Sequence, residues 1–117
     1  MRAALAQHLP VNAAAFVEQH RYEGPLYNTV DWGGYLIWRL HPLPVSLDGR
    51  AYLHGDARMW RSMRTWNGLP GWESDTELAG ARLVIAPVQY PLTELLRHHG
   101  RFSLVYEDRV AAVFVAR

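Results

Sequence analysis

Arg82-Leu83-Val84-Ile85-Ala86, followed by a Pro87–Pro91 loop, Leu92–His99, Gly100 and the runs Phe102–Tyr106 and Val110–Val115, decides the fold. Arg82–Ala86 is a short apolar run of the kind that forms a strand buried on both faces. Leu92–His99 has helical spacing and is followed by Gly100, a natural helix stop. The last two runs are separated only by a short connection through Glu107-Asp108-Arg109, which makes them an antiparallel hairpin.

Upstream, the same alternation holds. Val11, Ala14, Ala15 and Val17 form an apolar stripe after Pro10, predicting a helix to about His20. Gly24-Pro25 breaks it. Leu26–Val30 reads as a buried strand, Asp31-Trp32-Gly33-Gly34 as a turn, and Tyr35–Leu40 as a helix. His41-Pro42-Leu43-Pro44 stops that helix, and Val45-Ser46-Leu47 predicts another strand closed by Asp48-Gly49-Arg50. Residues 54–67 predict an amphipathic helix with Met59, Trp60, Met63 and Trp66 on one face and Arg58, Arg61 and Arg64 on the other. Ser74, with Glu77 three residues on, predicts the cap of a short helix over Asp75–Gly80. Strands alternating with helices imply an α/β fold. The expectation is one three-layer domain over residues 1–117, with a mostly parallel mixed sheet and a C-terminal antiparallel hairpin. Its first three strands are expected to be parallel.

The chain has 117 residues and a formal net charge of +1. At this length, folding buries roughly two thirds of the unfolded surface, enough for a core without staples. The charge argues against nucleic acid as a partner held by bulk electrostatics. There are no cysteines, so disulfides, thiolate chemistry and Cys-ligated metals are excluded. All twelve basic residues are Arg, which we read as codon usage. The five Trp suit sugar stacking or a membrane interface, and equally ordinary packing.

Ligands of parallel sheets bind beyond the carboxyl ends of the strands. The first strand delivers Asn28, Asp31, Trp32 and Gly33-Gly34 there, the second Asp48, Gly49 and Arg50, the third Pro87, Gln89 and Tyr90. Asn28, Asp31, Trp32, Asp48 and Arg50 are therefore the candidate ligand-binding residues, suited to a sugar or a phosphate. Each has a structural alternative. Asp31 can cap a helix, Asp48 and Arg50 can lock a turn, and the glycines can relieve one. A phosphate loop, a nucleophile elbow and a helical histidine pair are all missing, so no catalytic residue, metal or cofactor is expected. Glu73-Ser74-Asp75 looks like a metal-binding acidic pair, but its place at a helix start points to capping.

Asn28-Thr29-Val30-Asp31-Trp32-Gly33-Gly34-Tyr35-Leu36-Ile37-Trp38, Val45-Ser46-Leu47-Asp48-Gly49-Arg50, Leu92 to Leu96, and Val105-Tyr106-Glu107-Asp108 with the closing strand to Arg117 carry a resemblance. From about Pro10 onward the chain resembles the soluble C-terminal domain that follows the transmembrane helices of large bacterial membrane proteins. Those proteins are related to the GT-C glycosyltransferases, which use polyprenyl-phosphate sugars. The resemblance implies an accessory domain without catalysis of its own, cut from a membrane-embedded parent and lying on the extracytoplasmic face. Its implied partners are the transmembrane part of that parent and a glycan, acceptor or polyprenyl-phosphate sugar. The alternative is a free-standing small α/β enzyme or binding protein using the strand-end Asp and Arg.

Overall fold

The computed structural model describes residues 9–44 and 57–117. The predicted Val45–Leu47 strand, Asp48, Gly49 and Arg50 lie outside the described residues. Helix α1 spans Val11–His20, β1 Leu26–Tyr27, α2 Val30–Arg39 and α3 Ala57–Trp66. A 3-10 turn at Trp72–Ser74 leads to α4 (Thr76–Ala79), followed by β2 (Leu83–Pro87) and α5 (Pro91–Arg97). Strands β3 (Phe102–Glu107) and β4 (Ala111–Ala116) close the chain.

The sheet is mixed, in the order β1-β2-β4-β3. β1 runs parallel to β2, β2 antiparallel to β4, and β3 and β4 form the expected hairpin. Among the described residues the parallel share is therefore the single β1–β2 pair, narrower than the alternation suggested. The hairpin forms one edge of the sheet, with β3 outermost. Its second strand lies against β2, which is buried along its whole length. The apolar composition of both Leu83–Ala86 and Ala111–Phe114 accounts for this, since both can be covered on two faces.

Side-chain alternation along these strands splits the core in two. On one face, Leu26, Leu83, Ile85, Ala111 and Val113 meet Ala13, Ala14 and Val17 of α1 and Trp32, Leu36 and Leu40 at α2. On the other, Tyr27, Val84, Ala86, Ala112 and Phe114 meet Trp66, Leu78, Leu92 and Leu96 from α3, α4 and α5. Helices thus cover both faces of one sheet, the three-layer α/β arrangement. A β-bulge between Leu104 and Tyr106 lets both Val105 and Tyr106 pack on the first cluster.

Three local expectations are corrected. Asp31–Gly34 is not a turn and Leu26–Val30 is not all strand. The strand stops at Tyr27, and α2 runs through both glycines from Val30. Trp32, Leu36 and Leu40 recur every four residues and are all buried. That apolar stripe outweighs the roughly 1 kcal/mol each glycine costs in a helix. Asp31 accordingly lies in the first turn of α2, and the N-cap position is Thr29. The cap of α4 is Asp75 rather than Ser74. Finally, α3 buries Met59, Ser62, Thr65 and Trp66, while Trp60 and Met63 are exposed beside the arginines. This rotation lets the Thr65 hydroxyl donate to the buried Asp75 carboxylate at 2.7 Å. Among the described residues, no helix is long and apolar enough to cross a membrane.

Candidate functional site

Because β1 and β2 are parallel, their carboxyl ends open on the same edge of the sheet. After β1 the chain passes Asn28 and Thr29 and enters α2. After β2 it passes Gln89 and Tyr90 and enters α5. Pairing of Pro87 with Ala111 brings the turn of the hairpin to that edge too, and the Val88 amide donates to the Val110 carbonyl at 3.1 Å. The result is a crevice of about 390 Å³. It is lined by Leu9, Thr29, Asp31, Trp32, Pro87, Gln89, Tyr90, Arg109 and Val110.

The sequence-predicted residues divide. Asp31 and Trp32 line the crevice together with Pro87, Gln89 and Tyr90, as strand-end positions should. Asp31 is exposed on the first turn of α2, where its charge suits the helix dipole. Trp32 is 6 % exposed and belongs mainly to the core. Asn28 is fully buried, and its Nδ2 donates to the Thr29 carbonyl at 2.7 Å. It braces the β1–α2 connection and is not among the residues lining the crevice. Asp48 and Arg50 lie outside the described residues.

Four lining residues, Leu9, Thr29, Arg109 and Val110, are not among the strand-end candidates of the sequence. Thr29 reads as part of the Leu26–Val30 strand, although a Thr before an apolar helical stripe is an N-cap signal. Arg109 reads in sequence only as part of the short hairpin connection. Nothing local to Arg109 shows that β4 pairs with β2, and that pairing is what carries Arg109 to the crevice.

The turn that holds Arg109 is built around Asp108. Its Oδ1 accepts the Val110 and Ala111 amides at 2.7 and 2.9 Å, and Oδ2 accepts the Tyr106 hydroxyl at 2.6 Å. Burial would raise the Asp108 pKa. The hydrogen bonds from Tyr106, Ala111 and Val110 overcome it and leave the carboxyl below its usual range.

A second cleft, of about 410 Å³, lies across the sheet between α3 and the 3-10 turn, with Trp60, Arg61, Arg64, Trp72 and Asp75 among its lining residues. Asp75 is 3 % exposed. Its Oδ2 accepts Tyr27 Oη at 3.0 Å and Thr65 Oγ1 at 2.7 Å, and its Oδ1 accepts the Glu77 amide at 2.9 Å. Arg61 Nε stands 3.5 Å from Oδ1. A carboxylate so fully occupied by the protein's own donors is a structural brace. It fulfils the capping role expected of Glu73-Ser74-Asp75. Among the described residues, no group of three or more His, Asp or Glu side chains is placed to hold a metal ion.

The strand-end crevice therefore combines an acceptor (Asp31), an amide (Gln89), aromatic surface (Tyr90), a guanidinium (Arg109) and the amino end of a helix. That set can hold a hydroxylated, polar ligand. Among the described residues that line it, there is no nucleophile with an adjacent base. Comparisons of the chain with protein-family models, with curated proteins and with solved structures find no match.

Proposed function

We propose that this chain is a ligand-holding domain without catalysis of its own, binding a glycan or glycosyl acceptor in the crevice at the carboxyl ends of β1 and β2. The observation that supports it is the convergence of Asp31, Gln89, Tyr90 and Arg109 on one crevice. Carboxylate and amide oxygens accept sugar hydroxyls, the guanidinium and amide nitrogens donate to sugar oxygens, and a tyrosine ring covers the apolar face of a pyranose. In the context implied by the resemblance of Asn28–Trp38, this is an accessory domain on the extracytoplasmic face of a glycosyltransferase-like integral membrane protein. Its second partner is then the membrane part of that protein.

The reading is tested by titrating the ¹⁵N-labelled chain with neutral mono- and oligosaccharides. Shifts confined to the Asp31, Gln89, Tyr90 and Arg109 neighbourhood, lost in Gln89→Ala/Tyr90→Ala, are expected. Turnover of a glycoside by the isolated chain would replace this reading with that of a small enzyme. Hydrophobic spans encoded upstream in the same reading frame would support the membrane context, and a frame without them would remove it.

A further inference from the structure

We propose that the second cleft, between α3 and the 3-10 turn, is a binding site for a small aromatic carboxylate, its ring on the indole surface of Trp60 and Trp72 and its carboxylate on the Arg64 guanidinium. The site is separate from the strand-end crevice and does not depend on the reading of that crevice.

The cleft is held in shape by the chain's own bonds. Trp60 and Arg64 stand one helical turn apart on α3, so they share a face, and both line the cleft. The chain then turns back through Leu69, Pro70 and Gly71. The Leu69 amide donates to the Arg64 carbonyl at 3.1 Å, and the Trp72 amide to the Leu69 carbonyl at 3.1 Å. Pro70 and Gly71 are the central pair of that turn, and Gly71, at φ 95°, takes its left-handed position. Trp72 is fixed by packing on the second core and by an edge-on contact with the His99 ring at 5.4 Å. The volume of about 410 Å³ falls in the range of small-molecule sites, about 300–1,000 Å³.

Arg64 carries the argument. Its neighbours on α3 are paired. Arg58 Nε lies 2.8 Å and Arg61 Nη2 2.6 Å from Glu77 Oε1, and Arg61 Nε stands 3.5 Å from Asp75 Oδ1. Arg64 is exposed and makes no ion pair among the described residues. The Glu73 carboxylate, next to Trp72 in the chain, is engaged with His99 Nε2 at 3.1 Å. One uncompensated positive charge is therefore left beside the indoles. A guanidinium fork takes a carboxylate through two parallel hydrogen bonds. A phosphoryl group would carry more negative charge than this one guanidinium offsets.

The rest of the lining selects the body of the ligand. Trp60 is 60 % exposed, unusual for a residue type that is highly buried on average. With Trp72, Leu69 and Pro70 it gives the cleft a mainly apolar surface, which a planar aromatic ring covers by offset or edge-on packing. A sugar fits less well, because its hydroxyls need acceptors. The one carboxylate that lines the cleft, Asp75, already accepts the Tyr27 and Thr65 hydroxyls and the Glu77 amide. The matching ligand has few donors, one negative charge and one flat face.

The test is a ¹⁵N NMR titration of the chain with phenylacetate, phenylacetamide, phenyl phosphate and acetate, read at the indole N–H signals. Phenylacetate is expected to shift the Trp60 and Trp72 signals and to bind about tenfold or more tightly than the uncharged amide, as a charge-assisted contact implies. Acetate, which lacks the ring, should shift neither. Arg64→Gln should weaken phenylacetate by about tenfold and leave the amide unchanged, whereas Trp60→Ala should weaken both. Both positions are exposed, so either variant should melt like the parent. Arg117→Gln, the same change of charge at the chain end, should bind like the parent. Equal affinity for acid and amide, undiminished binding in Arg64→Gln, or tighter binding of the phosphate overturns the proposal. So does phenylacetate that leaves Trp60 and Trp72 unmoved, or that shifts only the Arg109 neighbourhood; neither result bears on sugar binding in the strand-end crevice.

Discussion

Tyr27 and Asp75 are 48 residues apart in the chain, and the Tyr27 hydroxyl donates a 3.0 Å hydrogen bond to Asp75 Oδ2. The contact ties the last residue of β1 to the cap of α4 across the second core. Thr65 of α3 bonds the same oxygen at 2.7 Å, so three elements are fastened to one carboxylate.

Asp75→Ala should therefore be among the most damaging single changes. It removes a helix cap, typically about 1 kcal/mol, and leaves two buried hydroxyls without their acceptor, about 1–3 kcal/mol each. A loss of roughly 3–7 kcal/mol is expected, and Asp75→Asn, which keeps an acceptor oxygen, should lose less. Urea denaturation of the two variants checks the order. Equal, small losses would show that the carboxylate is not the brace.

The chain should weaken in alkali through two tyrosines. Burial first, and then the negative charge of Asp75, push the Tyr27 hydroxyl above the ordinary tyrosine range. Burial and the bond to Asp108 push Tyr106 up to about 12. The unfolded chain ionises its tyrosines near pH ~10 while the folded chain still holds these protons. Their contribution is complete below that pH and is lost as pH rises above it. Tyr27→Phe/Tyr106→Phe should flatten the decline of unfolding free energy between pH 9 and 12, read from urea curves at each pH.

The hairpin should respond at the other end of the scale. The hydrogen bond from Arg97 lowers the Glu107 carboxyl against a small opposing burial effect, and the Asp108 carboxyl is lowered as described. Lowered carboxyls stabilise the fold above the ordinary carboxylate range, near pH ~4, and that contribution fades as pH falls through their folded values. Arg97→Gln and Asp108→Asn should each reduce the dependence of stability on pH below about 4. An acid limb identical to the parent's in both variants would refute this.

On α3, the face that looks apolar in sequence is not the one that holds the fold. Trp60 is 60 % and Met63 45 % exposed, so Trp60→Gln and Met63→Gln should each change stability by no more than about 0.5 kcal/mol. Thr65→Val conserves volume but takes a donor from Asp75, and should cost about 1 kcal/mol or more. Thermal melts of the three variants decide which side faces the core.

Elements whose signal is local were legible in the sequence. The apolar stripe Val11–Val17, the buried run Leu83–Ala86 and the three-residue connection between the last two strands each specify their own conformation, because period and turn length are short-range properties. The strand-end position of Asp31, Gln89 and Tyr90 followed from those elements, since in parallel sheets the carboxyl ends share an edge. What tertiary structure decided was pairing and rotation. Whether β4 lies beside β2 or at the sheet edge depends on which apolar faces find partners across the whole domain, and that choice placed Arg109 at the crevice. Likewise α3 carries two overlapping stripes. Which one turned inward was settled by Asp75 and Tyr27, residues that no window on the helix itself contains.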